Sequence, residues 1–186
     1  MARIQVSDAG GPNVCALLDV IAWSELGALL LSNTDTDDGY RVIVGSTASK
    51  PILFNSYAEH PRQLVSLGAL GIRSDAAGRY QFLSTTWKSL AQRLGLNDFS
   101  PNNQDRGAIE LLRECGALPH VLAGGWLAAN EITTAITRAA PIWASLPGAG
   151  YGQHENKLLP LLTKFATALE IYAPRPAGVE LVDPES

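Results

Sequence analysis

Cysteine is almost absent from this chain. The two cysteines that occur, Cys15 and Cys115, lie far apart in two segments with helical periodicity. Neither has a second cysteine or a histidine at the short spacing that is typical of metal ligands. We therefore expect two buried thiols, no metal site and no cofactor.

Positive charge is also scarce. The 186 residues include 14 Lys and Arg against 18 Asp and Glu, which gives a net charge of -4. Proteins that hold nucleic acid neutralise its phosphates with clustered basic side chains, and no such cluster stands out here. We therefore expect no nucleic-acid partner. The negative charge also provides no long-range attraction to an anionic surface.

Apolar runs near the N-terminus are short. Residues 28–31 form one such run, whereas a transmembrane helix needs about 20 apolar residues. The first residues do not follow the charged-then-apolar pattern of a signal peptide. We therefore expect no membrane insertion, and synthesis in the cytoplasm.

The composition is that of an ordinary globular protein, with 46% hydrophobic and 17% charged residues. A chain of this length can bury the core of one domain. No internal repeat or linker divides it. We predict a single domain over residues 1–173, followed by a proline-containing tail over residues 174–186.

The pattern of apolar and turn residues predicts a mostly helical chain. A first helix runs from about Asn13 to Glu25 and stops at Gly27. Further helices are predicted to begin near residues 84, 100, 130 and 154. Residues 40–44, 51–54 and 78–82 predict a small three-stranded antiparallel sheet, whereas residues 64–75 read as a mobile loop. The predicted fold class is α+β.

One acid stands out because of its place in the first helix. A single stripe of this helix contains Val14, Leu18, Ile21 and Glu25. The Glu25 carboxyl therefore lies on the inward face, where burial and the C-terminal end of the helix dipole both raise its pKa, and Trp23 helps to exclude water. Such a carboxyl stays protonated near neutral pH and can protonate a glycosidic oxygen. The alternative is a glutamate that caps a turn or extends to solvent.

Two glycine-containing segments are candidates for ligand contacts. In residues 78–81, Gly78 permits close approach of the backbone to a ligand, and the Gln81 amide suits the N-acetyl and hydroxyl groups of an amino sugar. The alternative for Gln81 is an amide satisfied by neighbouring backbone. In residues 146–153, three glycines surround Tyr151 and allow its ring to meet a ligand face. The alternative there is a linker whose tyrosine packs on the core.

Six blocks of sequence together resemble one known family. They lie within residues 22–25, 38–45, 60–65, 78–81, 95–101 and 142–153. In this order they are similar to the phage lambda-type endolysins, and the resemblance extends over about residues 16–172. Residues 26–38 depart from the family pattern, because Leu26 stands where a glycine commonly follows the glutamate. Residues 122–130 have no clear counterpart.

The resemblance implies a lysozyme-like α+β fold, with the small sheet flanking a cleft, and a peptidoglycan lytic transglycosylase. Such enzymes cut the β-1,4 bond between MurNAc and GlcNAc without adding water, and they leave a 1,6-anhydro end. Their single catalytic glutamate acts as acid and then as base, and it matches Glu25. Gln81 and Tyr151 match positions that line the cleft. Residues 63–73 and 147–156 match its two mobile lips.

These residues define a predicted substrate-binding set around Glu25. The set is Gln81, Tyr80, Tyr151, Gly150, Gly152 and Tyr57. The expected partner is the peptidoglycan glycan strand, bound by a monomer without metal or cofactor. Because no export signal is recognised, the resemblance also implies that a holin, a separate phage membrane protein, releases the protein from the host cytoplasm to the cell wall in the periplasm.

Two other functions are open on sequence grounds. A hydrolytic muramidase would need a second carboxylate, and Asp35, Asp37 and Asp38 follow Glu25 in the chain. A non-catalytic wall-binding protein would keep the fold without needing the Glu25 acid. Product analysis tests the first alternative, and a Glu25→Gln variant tests the second.

Overall fold

The computed structural model describes residues 1–68, 71–126, 128–152 and 154–178. Its helices are α1 (Val6–Ala9), α2 (Pro12–Ser32), α3 (Ser84–Leu94), α4 (Pro101–Glu114), α5 (Leu118–Ala123), α6 (Ala129–Ala139) and α7 (Leu158–Tyr172). Its strands are β1 (Val65–Leu67) and β2 (Ile72–Ser74), and a 3₁₀ turn spans Thr34–Thr36. This is the mostly helical α+β arrangement that the sequence predicts.

The central element is α2. It begins at Pro12, whose fixed φ suits the first helical position, and it packs most extensively against α7. Gly27 has a φ of 76° and a ψ of 160°, so the helix is interrupted there and resumes as far as Ser32. The predicted stop at Gly27 is therefore a break within a longer helix.

By length and composition, α2 is a helix that could cross a membrane, which the short apolar runs did not predict. In this fold it is packed as a core helix, because more than half of its apolar window is buried inside the protein. A helix that is apolar on all sides is also what the centre of a globular core requires. Asp19, in the middle of α2, accepts a hydrogen bond from the Arg79 guanidinium at 2.6 Å.

Residues 26–38, which contain the Gly27 break, are the segment that departs from the family pattern. Its apolar side chains pack over Gly39, where a Cβ would clash with both Leu26 and Leu31. Gly39 has a φ of 89°, so glycine suits this position in backbone conformation as well. Leu29 is 71% exposed and takes no part in this packing. The altered segment packs on the protein through the half-buried Leu26 and Leu31 and through the buried Leu30.

The sheet has two strands where three were predicted, and they lie elsewhere in the chain. β1 and β2 pair in antiparallel fashion within residues 64–75, the segment that was predicted as a loop. Residues 40–44 and 51–54 meet through an isolated bridge between Val42 and Leu53, and residues 78–81 form a turn that is closed by a bridge between Ala77 and Phe82. Val42 and its neighbour Ile43 are both almost fully buried, so their side chains do not alternate between two faces as those of a regular strand do.

Most later helices begin where the sequence predicts. α3, α4 and α6 start within one residue of the predicted positions. α5 was not predicted, because a helix of six residues is too short for its periodicity to be recognised. α7 begins at Leu158 and not near His154. The backbone N–H of Asn156 donates to the Ser145 carbonyl at 2.8 Å, which holds this segment outside the helix.

Both cysteines are free thiols. Cys15 is fully buried in α2, and burial raises the pKa of its thiol to about 11. Cys115 is only half-buried at the end of α4, so the prediction of two buried thiols is right for Cys15 and only partly right for Cys115. Of the predicted tail, residues 174–178 follow α7 without helix or strand, and residues 179–186 lie outside the described residues.

Buried polar groups hold α2 and α4 against the turn that follows β2. Arg79, in that turn, is 2% exposed, and its guanidinium contacts Asp19 of α2. Asp105 of α4 is fully buried and accepts the hydroxyls of Tyr40 and Tyr80 at 2.7 and 2.6 Å. Hydrogen bonding of this kind offsets the desolvation of buried charges. The turn after β2 is therefore fixed in position, and it forms one wall of the site described next.

Candidate active site

Glu25 lies two residues before the Gly27 break, on a face of α2 that packs inward. The Ser145 hydroxyl donates a hydrogen bond to Glu25 Oε1 at 2.6 Å. Burial raises the pKa of Glu25, and the hydrogen bonds from Ser145 oppose part of that rise. The side chain is therefore a carboxylic acid that keeps its proton to a higher pH than an exposed glutamate does.

Glu25 lines a groove of about 420 Å³. Its walls come from the β1–β2 hairpin, from residues 76–86 and from residues 141–151. Among the described residues that line this groove, Glu25 is the only carboxylate. Ligand sites are commonly concave and apolar, with a few polar groups placed for orientation and chemistry. The groove has this character, and Glu25 is the one carboxyl among its described lining residues.

Gln81 lines the groove from the turn after β2, with a φ of 49°. Its side-chain nitrogen donates to the Gly78 carbonyl at 2.8 Å, so neighbouring backbone satisfies part of the amide. The Gln81 side-chain carbonyl has no hydrogen-bond partner among the residues that the structure describes. This oxygen can accept a hydrogen bond from a ligand N–H or O–H.

Gly78 serves the core, which corrects one prediction, and the Tyr80 hydroxyl is bound within the core. Tyr80 borders the groove, but it is 1% exposed and its hydroxyl is bound to Asp105. Its carbonyl accepts a hydrogen bond from Trp143 Nε1 at 3.1 Å, so it joins two walls of the groove. Gly78 has a φ of 80°, and a Cβ there would clash with the Gln104 side chain. The close approach at Gly78 is therefore to the core and not to a ligand.

Tyr151 lies at the edge of the groove with 57% of its surface exposed, so its ring is not packed in the core. Its hydroxyl donates to the Pro141 carbonyl at 2.7 Å, which bridges the two ends of this wall. The same loop is braced by Glu155, whose carboxylate accepts the backbone N–H groups of Gly148 and Gly150 at 2.8 Å each. These two bonds lower the pKa of Glu155.

Tyr57, Gly150 and Gly152 are not among the described residues that line the groove. The Tyr57 hydroxyl donates to Asp37 at 2.6 Å, and its ring packs edge-on against Phe54. Tyr57 is therefore withdrawn as a substrate-binding residue, because its ring and its hydroxyl are both used within the protein. Gly150 and Gly152 are exposed in the loop that carries the groove-edge tyrosine. Gln153, the last residue of that predicted block, lies outside the described residues.

The three acids considered for a hydrolytic mechanism lie around the 3₁₀ turn. The Arg3 guanidinium binds Asp37 and Asp38 at 2.9 Å each. Asp35 is exposed. None of the three is among the described residues that line the groove.

Three polar residues next to Glu25 were not predicted. They are Ser24, Ser145 and Asn156. Ser145 is 120 positions from Glu25 in the chain, so periodicity within one helix cannot reveal the contact. The available signal was that both serines fall in blocks that carry the family resemblance, at residues 22–25 and 142–153.

The α+β fold and a groove with one raised-pKa carboxyl define a lysozyme-like protein. A family model described as Endolysin matches residues 15–170. The endolysin of Escherichia phage lambda is 46% identical over 153 residues, which are 82% of this chain and 89% of that protein. The endolysin of Escherichia phage P2 is 44% identical over 162 residues, 84% of this chain and 92% of that protein. A solved structure of bacteriophage lambda lysozyme complexed with a chitohexasaccharide matches with a TM-score of 0.73 and 43% identity, covering 85% of this chain and 94% of that one.

The chain belongs to the endolysin family. This confirms the resemblance on which the sequence-based prediction relied, and the structural match confirms the lysozyme-like fold class. As a phage endolysin, the protein is a peptidoglycan-degrading enzyme that acts on the host cell wall.

Proposed function

We propose that this endolysin is a lytic transglycosylase, which cleaves the β-1,4 bond between MurNAc and GlcNAc and forms 1,6-anhydro-MurNAc ends. The observation that carries the proposal is the single carboxyl of the described groove, Glu25. Glycoside hydrolases of the usual kind use two carboxyl groups that flank the scissile bond. One acid is enough when the substrate supplies the remaining groups.

In the proposed reaction, protonated Glu25 donates its proton to the glycosidic oxygen as the bond from that oxygen to C1 of MurNAc breaks. The substrate's own acetamido group stabilises the positive charge that develops at C1. The Glu25 carboxylate then takes the proton of the C6 hydroxyl while O6 bonds to C1 and closes the anhydro ring. No water is consumed, and Glu25 regains its proton.

The groove offers groups that suit a glycan strand. The Gln81 side-chain carbonyl can accept from an acetamido N–H or a sugar hydroxyl, and the exposed Tyr151 ring presents a flat face to a sugar. The related lambda lysozyme was solved with a chitohexasaccharide. We propose that a peptidoglycan strand occupies the groove of this protein.

The products of the reaction test the mechanism. Purified peptidoglycan digested by the wild type is analysed by mass spectrometry of the released muropeptides. Anhydro ends support a transglycosylase, whereas reducing ends indicate a hydrolase. The positions of Asp35, Asp37 and Asp38 outside the described groove favour the first outcome.

Replacing Tyr151 by Ala is expected to weaken the binding of a chito-oligosaccharide by about tenfold, because the flat face at the groove edge is lost. The exposed position predicts a change in unfolding free energy within about 0.5 kcal/mol. Titration calorimetry and urea denaturation measure the two quantities. Tyr151→Phe is the matched control, since it keeps the ring and removes only the bond to Pro141. A Tyr151→Ala protein that unfolds, or that binds as well as the wild type, would exclude this role.

We propose that residues 1–173 form the catalytic domain, that it acts as a monomer, and that a separate phage membrane protein, a holin, releases it from the host cytoplasm to the wall. Expression in a host with and without such a holin tests the last point, with culture turbidity as the readout. Lysis that is equally fast without the holin would contradict it.

A further inference from the structure

A chain of side-chain contacts leads from Glu25 into the protein. Ser145 Oγ lies 2.6 Å from Glu25 Oε1 and 2.8 Å from Ser24 Oγ. Asn156 Nδ2 donates to Ser24 Oγ at 3.0 Å. The Ser24 hydroxyl in turn reaches the Ser145 carbonyl at 3.2 Å. We call these three residues, Ser24, Ser145 and Asn156, the serine–asparagine relay.

The Ser145 hydroxyl has a single proton and two acceptors within reach. A carboxylate is a much stronger hydrogen-bond acceptor than a hydroxyl, so the Ser145 hydroxyl donates its hydrogen bond to Glu25 when Glu25 is ionised. When Glu25 is neutral, Oε1 is a weaker acceptor, but Ser24 Oγ already accepts a hydrogen bond from Asn156 Nδ2, so the Ser145 hydroxyl continues to donate to Oε1. The strength of this one hydrogen bond therefore responds to the charge of Glu25.

The two carboxyl oxygens of Glu25 have different surroundings. Oε1 faces the relay. Oε2 has no hydrogen-bond partner among the described residues, and Glu25 lines the groove. A donor that occupies Oε1 leaves Oε2 as the oxygen that carries the transferable proton.

The relay is itself held in place by backbone. The backbone N–H of Asn156 donates to the Ser145 carbonyl at 2.8 Å, and the side-chain Nδ2 of Asn156 lies 3.3 Å from the Ser24 carbonyl. The next residue back along the chain, Glu155, braces the glycine-containing loop through the N–H groups of Gly148 and Gly150. The position of the Ser145 hydroxyl beside Glu25 therefore depends on Asn156 and on the neighbouring loop that Glu155 braces.

We propose that Ser145, supported by Ser24 and Asn156, is a positioning residue that directs the transferable proton of Glu25 to Oε2 and stabilises the carboxylate form when Glu25 acts as base. This rests on the proposed acid-then-base role of Glu25. The relay serves both charge states because the Ser145 hydroxyl donates to Oε1 in each of them, more strongly when Glu25 is ionised.

Replacing Ser145 by Ala removes a hydrogen bond that favours the ionised carboxyl, so the carboxyl keeps its proton to higher pH. The pH at which activity falls on the alkaline side should therefore move upward by about one unit, in line with the loss of a charge-assisted bond. At the optimum, kcat should fall about 10- to 100-fold, because the carboxylate formed in the first step is less stabilised. Activity is measured by muropeptide release across the pH range.

Ser145→Thr keeps the hydroxyl and is expected to restore the wild-type pH limb and most of kcat. Ser89→Ala, an exposed serine in α3, is the matched control for serine loss and should change neither. A fall in kcat with no movement of the alkaline limb would reduce Ser145 to a structural role and overturn the proposal.

A readout independent of activity keeps this result separate from the fate of the proposed reaction. The titration of Glu25 is followed by NMR of its carboxyl carbon in the free protein, where Ser145→Ala should raise the midpoint and Asn156→Ala should raise it by less. If Ser145→Ala fails to fold, the Asn156→Ala titration decides. An unmoved Glu25 midpoint in a folded variant contradicts the relay, whereas reducing ends in the wild-type digest contradict only the transglycosylase mechanism.

Discussion

Glu25→Gln is expected to reduce peptidoglycan lysis by at least about 10²–10⁴-fold, the usual contribution of a general acid or base. Glutamine has nearly the same shape and can still accept the Ser145 hydrogen bond, but it carries no transferable proton. In the groove as described, no second carboxylate takes over the role. Loss of turbidity of purified peptidoglycan, followed by muropeptide analysis, measures the effect.

The same variant is expected to be as stable as the wild type or more stable, because the native protein keeps an acid where burial disfavours its charge. The pKa of Glu25 is raised in the folded state, so its contribution to stability is fully present below the ordinary glutamate value of 4.5 and is lost as pH rises through the folded pKa. The advantage of Glu25→Gln should therefore be absent at low pH and grow toward neutral pH. Thermal denaturation at several pH values measures this trend.

Glu59→Gln is the matched control, since Glu59 is an exposed glutamate outside the described groove lining. It should leave both lysis and the pH dependence of stability unchanged. Lysis by Glu25→Gln at the wild-type rate would refute the catalytic assignment and favour a wall-binding protein. A Glu25→Gln protein that is less stable at neutral pH would show that the carboxylate is stabilised in the native state.

Asp19→Ala is expected to lower the free energy of unfolding by about 3–5 kcal/mol, the cost of leaving a buried charge without its partner. Arg79 is 2% exposed, and its Nη2 donates to Asp19 Oδ1 at 2.6 Å. The variant also removes the acceptor for the Ala2 amide and the Tyr172 hydroxyl, at 2.8 and 2.9 Å. Urea denaturation of the purified variant measures the loss.

An exposed ion pair provides the comparison. Glu114→Ala breaks the pair with Arg93 on the surface and should change stability by less than about 1 kcal/mol. The double variant Asp19→Leu with Arg79→Met should recover a large part of the loss, because it leaves no unpaired charge in the core. If Asp19→Ala were as mild as Glu114→Ala, water would have to reach Arg79, and the buried network would not hold the turn that carries Gln81.

The helical content and the position of the candidate acid were accessible to sequence reasoning for the same reason. The apolar stripe that ends at Glu25 repeats with the helix period, so a local pattern identified both the helix and the acid on its inward face. The strands were placed wrongly, because the β-rich residues 40–44 and 51–54 pair only through isolated bridges. β1 and β2 pair instead, in a part of the chain with few of the signals that mark strands.

The sequence by itself determined the family, the α+β class and the candidate acid, since these depend on motifs and on periodicity within single segments. Only the tertiary structure decided which neighbours serve that acid. It placed Tyr57 outside the described groove lining, and it bound the hydroxyls of Tyr57 and Tyr80 to Asp37 and Asp105. It also brought Ser145 to Glu25 across 120 positions. Contacts of this kind form when distant segments pack together, and no local pattern encodes them.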